Sequence, residues 1–175
     1  DGMKYRNDNF YRDNQCELLL NKTVIKIDPE KKRVMLDDGT YVSYDKLLLC
    51  TGSSPFMPPV PGLDEVKNKF TFTSLDDAKA LNNALKKNMK VLIIGAGLIG
   101  LKCAEGISKK NVEIICVDLA PRVLSSILDD EGSEMIKKHL EDNGIKFYLQ
   151  QQVAKFEENY AYPGSNIRIR FDVLV

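Results

Sequence analysis

Three glycines in the middle of the 175-residue chain have the spacing of a phosphate-binding turn. They are Gly95, Gly97 and Gly100 of VLIIGAGLIG, and they directly follow an apolar run. In this pattern the first glycine permits a tight turn, the second lets the backbone approach a pyrophosphate, and the third lets the next helix pack closely on the strand. The amides of Leu98 and Ile99 then lie at a helix N-terminus, where free N–H groups favour an anion. The spacing therefore predicts a dinucleotide-binding turn.

An acidic residue completes the pattern further along the chain. The apolar run IICV ends in Asp118, about twenty residues past the glycines, where a carboxylate can accept hydrogen bonds from ribose hydroxyls. Residues 90 to 118 are therefore predicted to form a strand, the turn, an amphipathic helix and a second strand. The motif recognises an ADP half that NAD and FAD share, so it does not by itself separate the two cofactors.

Asp118 further predicts that NADH binds more tightly than NADPH. The extra phosphate of NADPH would bring negative charge close to the carboxylate, and such a like-charge pair is unfavourable. Arg122 supports the opposite prediction, because a guanidinium can bind a 2′-phosphate. We favour Asp118, which ends a predicted strand, whereas Arg122 follows Pro121 in a loop whose direction the sequence does not define.

Predicted elements on both sides of this unit indicate an α/β protein. Residues 23 to 49 suggest a three-stranded meander, in which the apolar run KLLLC is expected to form a strand buried on both faces. Helices are predicted to begin near Thr73-Ser74 and to span residues 129 to 142, followed by strands in IKFYL, QVAKFE, IRIRF and DVLV. This alternation predicts a Rossmann-like parallel sheet with helices on both faces and an antiparallel β-meander. The proline-rich run PFMPPVPG is expected to be an extended linker, with a domain boundary near residue 64.

Composition and cysteine spacing exclude several classes of function. The 25 basic and 25 acidic residues balance, so no net charge attracts nucleic acid or an anionic membrane, and no apolar run is long enough for a membrane span. The four cysteines form no CxxC pair and no metal-like cluster, and three lie in apolar runs. We expect free, buried and unreactive thiols in a reducing cytoplasm. The cysteines are Cys16, Cys50, Cys103 and Cys116.

Four segments, taken in order, resemble the pyridine nucleotide-disulfide oxidoreductase family of flavoenzymes. They are FYRDNQCELLLNKTVIKIDPEKKRV, YDKLLLCTGSSP, PPVPGLD and VLIIGAGLIGLKCAEG. The match is closest to the branch that contains rubredoxin, ferredoxin and nitrite reductase flavin subunits and NADH oxidases. The resemblance implies that residues 1 to 64 are the incomplete tail of an FAD-binding domain and residues 65 to 175 an NAD-binding domain.

The resemblance also assigns roles to residues of the first part. It places Val24 near the FAD adenine through its backbone, and Thr51 and Gly52 near the flavin. By this resemblance two parts of the family's enzymes are expected to lie outside the sequence: their own FAD phosphate loop, which nothing before residue 16 resembles, and their dimerisation domain, since the sequence stops at DVLV. The chain therefore corresponds to the middle of such an enzyme, is expected to be inactive alone, and would have its FAD only in the full-length protein.

One residue departs from the family's pattern. Lys102 stands two residues after Gly100, where the family commonly has glutamate near the nicotinamide. We favour an exposed ion pair between Lys102 and Glu105, three residues on in the same helix. The alternative is that Lys102 reaches a phosphate or the nicotinamide amide.

By this resemblance the chain is part of an FAD-dependent enzyme that binds NADH and passes hydride to the flavin. The chemistry belongs to the cofactors, so no side chain of this chain is predicted to be catalytic. Electrons would leave to a downstream acceptor, for which a redox protein is a candidate. Two alternatives remain: a disulfide or CoA-disulfide reductase of the same family, and a nucleotide-binding module without catalytic activity.

Overall fold

The computed structural model describes residues 5–164 and 166–175. The chain divides between Gly52 and Ser53 into two compact units, which we call the first unit and the second unit. The sequence placed the boundary near residue 64. The division falls earlier because Val60, Leu63 and Val66 pack against the core of the second unit.

The first unit contains the predicted meander. A one-turn helix, α1 (Phe10–Asp13), precedes three antiparallel strands, β1 (Val24–Asp28), β2 (Arg33–Leu36) and β3 (Tyr41–Ser43), which pair in the order β1-β2-β3. The turn between β2 and β3 contains Gly39 at a φ of +82°, which supplies the positive φ that this turn requires.

The strand predicted for KLLLC is not present, and this prediction was wrong. Residues 46 to 50 have no regular structure, and the side chain of Leu48 is 83% exposed. A strand of a parallel sheet is stabilised by ladder partners and by apolar cover on both faces. None of the described residues forms a ladder with this run, so its leucines stay accessible.

A four-stranded parallel sheet forms the centre of the second unit. Its strands lie in the order β10-β4-β5-β6, and the remaining three strands form a separate antiparallel sheet. The helices are α2 (Leu75–Ala84), α3 (Leu98–Ser108) and α4 (Asp130–Asp142). The parallel strands are β4 (Lys90–Ile94), β5 (Glu113–Val117), β6 (Ile145–Tyr148) and β10 (Val173–Leu174), and the antiparallel ones are β7 (Val153–Glu157), β8 (Tyr160–Pro163) and β9 (Ile169–Arg170).

The two faces of the parallel sheet are covered by different structures. Alternate residues of each strand point to opposite faces. On one face the sheet packs against Leu81 of α2, Ile107 of α3 and Leu140 of α4. On the other face it packs against Phe156 of β7 and Phe171, which belong to the meander β7-β8-β9 and the turn after it. The α/β class is confirmed, but helices cover one face only, since the meander takes the place of a second helical layer.

Capping chemistry fixes where the helices of the second unit begin and end. Ser74 caps α2 in a capping box: its Oγ accepts the Asp77 amide at 3.1 Å, and the Asp77 carboxylate accepts the Ser74 amide at 3.1 Å. The backbone amide of Thr73 also donates to Asp77, and these bonds lower the pKa of its carboxyl to about 2. Helix α4 has Asp129 as its N-cap and is followed by Gly144 at a φ of +86°, so both predicted helices are confirmed.

Candidate dinucleotide-binding site

The three glycines of the turn differ in what surrounds them. Gly95 follows β4 with a φ of +113°. Gly97 is the N-cap of α3 with extended backbone, and no atom lies within 4 Å of the place where a Cβ would be. At Gly100 a Cβ would overlap the carbonyl oxygen of Gly95 and lie 3.3 Å from Cγ2 of Ile93. The turn is thus tight at Gly95, open to a ligand at Gly97, and closely packed on the strand at Gly100.

The open side of this turn is the N-terminus of α3. Leu98 and Ile99 are its first two residues, and both side chains are exposed. The first-turn amides of a helix have no acceptor within the helix and carry its positive dipole end. This end of α3 can therefore receive a phosphate.

Asp118 lies directly beside the turn, at the end of β5. Its Oδ2 accepts the backbone amide of Ala96 at 2.5 Å, and its Oδ1 accepts the amide of Ala120 at 2.7 Å. The side chain is half-buried. The structure thus brings the predicted carboxylate next to Gly95, Gly97 and Gly100, although its bonds to two backbone amides were not predicted.

Lys102 forms the ion pair that the sequence favoured. Its Nζ lies 2.8 Å from Oε2 of Glu105, and both side chains are 64% exposed. The hydrogen bond from Lys102 lowers the pKa of the Glu105 carboxyl.

Arg122 is bound within its own loop. One terminal nitrogen lies 3.1 Å from the carboxylate of Asp130, and the other donates to the carbonyls of Leu128 at 3.4 Å and Ser125 at 3.5 Å. A phosphate bound by Arg122 would compete with Asp130 for the guanidinium. The structure therefore gives Arg122 a role in joining the loop after β5 to α4.

A groove of about 640 Å³ in the second unit adjoins the turn. The three glycines, Leu98 and Ile99 line it together with Phe56, Phe70 and Phe72 among others. The three phenylalanines were not predicted to belong to a site, and residues 55 to 62 were interpreted as a linker. The pattern Phe-Thr-Phe at 70 to 72 could have indicated an apolar wall.

The residues predicted to contact FAD lie in the first unit. Val24 is in β1, and Thr51 and Gly52 follow the irregular run after β3. All three are exposed, and Gly52 has a φ of +73° with no atom near the position of a Cβ. Their contact with FAD stays a prediction.

The cysteines fall into two classes. Cys103 and Cys116 are buried in the second unit, and burial raises the pKa of their thiols to about 11 and about 12. Cys16 and Cys50 are exposed, so the prediction of burial was wrong for them, because each lies in a segment without regular structure or apolar cover. Within residues 5–164 and 166–175, no group of three His, Cys, Asp or Glu side chains is placed to hold a metal ion. None of the described helices has the length and apolar character needed to cross a membrane.

Comparison with known proteins places the chain among flavin enzymes. The sequence profile of the family described as "Pyridine nucleotide-disulphide oxidoreductase" matches residues 6–173. The chain is 35% identical over 146 residues to a nitrite reductase [NAD(P)H] of Bacillus subtilis, covering 83% of this chain and 18% of that protein. It is 32% identical over 154 residues to an NADH oxidase of Methanocaldococcus jannaschii, covering 85% and 34%.

Solved structures show the same arrangement of elements. The water-forming NADH oxidase of Lactobacillus brevis bound to NADH superposes with a TM-score of 0.86 at 26% identity, covering 99% of this chain and 40% of that one. An engineered NADPH oxidase derived from it, bound to NADPH, has a TM-score of 0.86 at 25% identity with the same coverage. A covalent putidaredoxin reductase–putidaredoxin complex has a TM-score of 0.88 at 25% identity, covering 99% and 44%. The chain spans less than half the length of each of these proteins.

Proposed function

Because the chain belongs to the pyridine nucleotide-disulphide oxidoreductase family, we propose that its second unit binds NADH as hydride donor to FAD. The observation that carries this proposal is the turn after β4. Its surface is open at Gly97, its helix N-terminus is free, and the carboxylate of Asp118 lies beside it. A turn that served only to join strand and helix would not need the open place at Gly97, where no atom lies within 4 Å of a Cβ.

The geometry supports a division of the dinucleotide along this site. The pyrophosphate would bind at Gly97 and the first-turn amides of α3, where the dipole and N–H groups favour negative charge. The adenosine ribose would bind at Asp118, which has lone pairs left after its two amide bonds. The nicotinamide half would lie in the apolar groove next to Leu98 and Ile99, which would exclude water from it.

The flavin belongs to the first part of the chain in this proposal. Contact with a cofactor requires exposed residues, and three are exposed here: Val24, Thr51 and Gly52. At Gly52 the backbone has a positive φ and no atom near the position of a Cβ, so a cofactor could approach it closely. These residues would hold FAD in a longer flavoenzyme that contains this chain. When bound, FAD accepts the hydride of NADH and passes the electrons on.

A preference for NADH follows from Asp118 and from the residue after it. Leu119 is 67% exposed and carries no charge for a 2′-phosphate, while Arg122 is held by Asp130. In the engineered NADPH oxidase, five substitutions include a glycine to alanine and, eighteen residues on, an aspartate to alanine followed directly by an alanine to arginine. Eighteen residues also separate Gly100 from Asp118, so that arginine would correspond to Leu119. At the three corresponding positions this chain has Gly100, Asp118 and the uncharged Leu119, and thus the types of residue that were replaced in the engineered NADPH oxidase.

The electrons are proposed to leave the flavin to a redox protein. One similar structure is a reductase in covalent complex with putidaredoxin, and the branch that the chain resembles includes rubredoxin and ferredoxin reductases. We therefore propose a flavin enzyme that reduces a small redox protein or a redox centre.

Calorimetric titration with NADH and NADPH at fixed salt tests the nucleotide part. A like-charge contact costs about 1 to 4 kcal/mol, so NADH should bind at least about fivefold more tightly. Leu119→Arg should reduce this ratio, whereas Met135→Arg, which adds the same charge at an exposed place on α4, should not. Equal or tighter binding of NADPH by the unaltered protein would contradict the proposal.

Flavin absorbance tests the chemical part. In a flavoprotein that contains this chain and FAD, NADH should bleach the flavin band under anaerobic conditions. NADH binding without bleaching would instead identify a nucleotide-binding module.

A further inference from the structure

One carboxylate connects the loops that follow β4 and β5. Oδ2 of Asp118 accepts the amide of Ala96, within the glycine turn, and Oδ1 accepts the amide of Ala120, in the loop after β5. Ala96 is only 1% exposed, so its N–H has little access to water. A buried amide without an acceptor is unfavourable, and Asp118 is the acceptor that the described residues supply to Ala96.

The other bonds of the turn leave this amide dependent on Asp118. The amide of Gly95 donates to the carbonyl of Val117 at 2.8 Å, and the carbonyl of Ala96 accepts from the amide of Leu124 at 2.9 Å. These bonds fix the turn on either side of the Ala96 N–H. Glycine on both sides of Ala96 gives the backbone more freedom than other residues would. The carboxylate therefore restrains the Gly95–Ala96 peptide unit, which lies one residue before Gly97 and the first turn of α3.

We propose that Asp118 is a positioning residue for the phosphate turn, in addition to being a ribose ligand. By holding the Ala96 amide, it sets the orientation of the backbone that receives the pyrophosphate before any nucleotide binds. Each carboxylate oxygen has a second lone pair, so ribose hydroxyls can bind without displacing the amides. This inference rests on the proposed function, since it assumes that the turn receives a pyrophosphate.

The two roles make different predictions for a ligand without ribose hydroxyls. If Asp118 acts through the ribose alone, its removal weakens the binding of ADP and leaves dideoxy-ADP, which lacks both hydroxyls, unaffected. If it also positions the turn, its removal weakens both ligands, because both place a diphosphate on the same amides. The loss of dideoxy-ADP binding is therefore the signature of the positioning role.

The experiment is calorimetric titration of ADP and dideoxy-ADP into the unaltered protein, Asp118→Ala and Asp142→Ala. Asp142 is exposed at the end of α4, so its variant loses the same charge and serves as control. We expect Asp118→Ala to weaken dideoxy-ADP by about tenfold, the fold-change for ~1.4 kcal/mol, and the control to have no effect. Unchanged affinity for dideoxy-ADP in Asp118→Ala would overturn the proposal.

Amide hydrogen exchange in the ligand-free protein provides a second test that needs no nucleotide. The Ala96 N–H should exchange at least about tenfold faster in Asp118→Ala, while amides of β5 keep their protection. Asp118→Asn, which retains one acceptor oxygen, should give an intermediate rate. If the unaltered protein binds neither nucleotide, the proposed function fails, but the exchange of Ala96 still decides the positioning role. Unchanged Ala96 protection in Asp118→Ala would overturn it.

Discussion

Helix α3 contains two glycines at which the same substitution should have opposite effects. At Gly100 a Cβ would overlap the carbonyl oxygen of Gly95 and press on Ile93, so α3 must move away from β4. Overpacking of this kind costs about 1 to 3 kcal/mol. At Gly106 no atom lies within 4 Å of a Cβ, and alanine in a helix interior is favoured over glycine by about 0.5 to 1 kcal/mol. We expect Gly100→Ala to be folded but destabilised, and Gly106→Ala to be stabilised.

Urea denaturation followed by circular dichroism measures both effects. The midpoints should move in opposite directions at unchanged slope, with the two variants about 1 to 3 kcal/mol apart in free energy of unfolding. Because both substitutions add one methyl group to one helix, helix propensity cancels between them. A Gly100→Ala variant as stable as Gly106→Ala would refute the close packing of α3 on β4.

Three further predictions follow from the electrostatics of single groups. The pKa of Asp77 is lowered to about 2 from its usual 3.8, so its contribution to stability should be present above about pH 4 and lost as the pH falls towards 2. The difference in free energy of unfolding between the unaltered protein and Asp77→Asn should therefore shrink over that range. Native protein should expose two thiols to Ellman's reagent and all four only in denaturant, since burial raises the pKa of Cys103 and Cys116; rapid labelling of either would contradict their burial. Lys102→Gln should change NADH affinity less than about twofold, because an exposed pair with Glu105 contributes little; a larger loss would show that Lys102 reaches the nucleotide.

The sequence predicted those elements whose local chemistry agrees with the final fold. The unit from β4 to β5 was predicted because glycine spacing, apolar strands and a terminal acid all indicate one motif. Helix α2 was predicted because Ser74 and Asp77 form a capping box in which both partners are close in sequence.

Features that depend on distant partners were not predicted. Apolar residues on both faces of β5 show that each face is covered, but not that a meander covers one of them. Strand β8 was missed because its Pro163 disfavours a strand assignment. The amide bonds of Asp118 were missed because Ala96 and Asp118 meet only after the sheet has formed.

The most direct test of the central claim is NADH binding by Gly97→Val. The backbone of Gly97, at φ −81° and ψ −175°, suits any residue, and the added side chain would enter open space. Stability should therefore change by at most about 1 kcal/mol, the cost of valine at an N-cap. If the pyrophosphate binds here, NADH affinity should fall at least about tenfold, or ~1.4 kcal/mol, while Gly106→Ala retains full affinity. Unchanged NADH affinity in a folded Gly97→Val protein would contradict a nucleotide site at this turn.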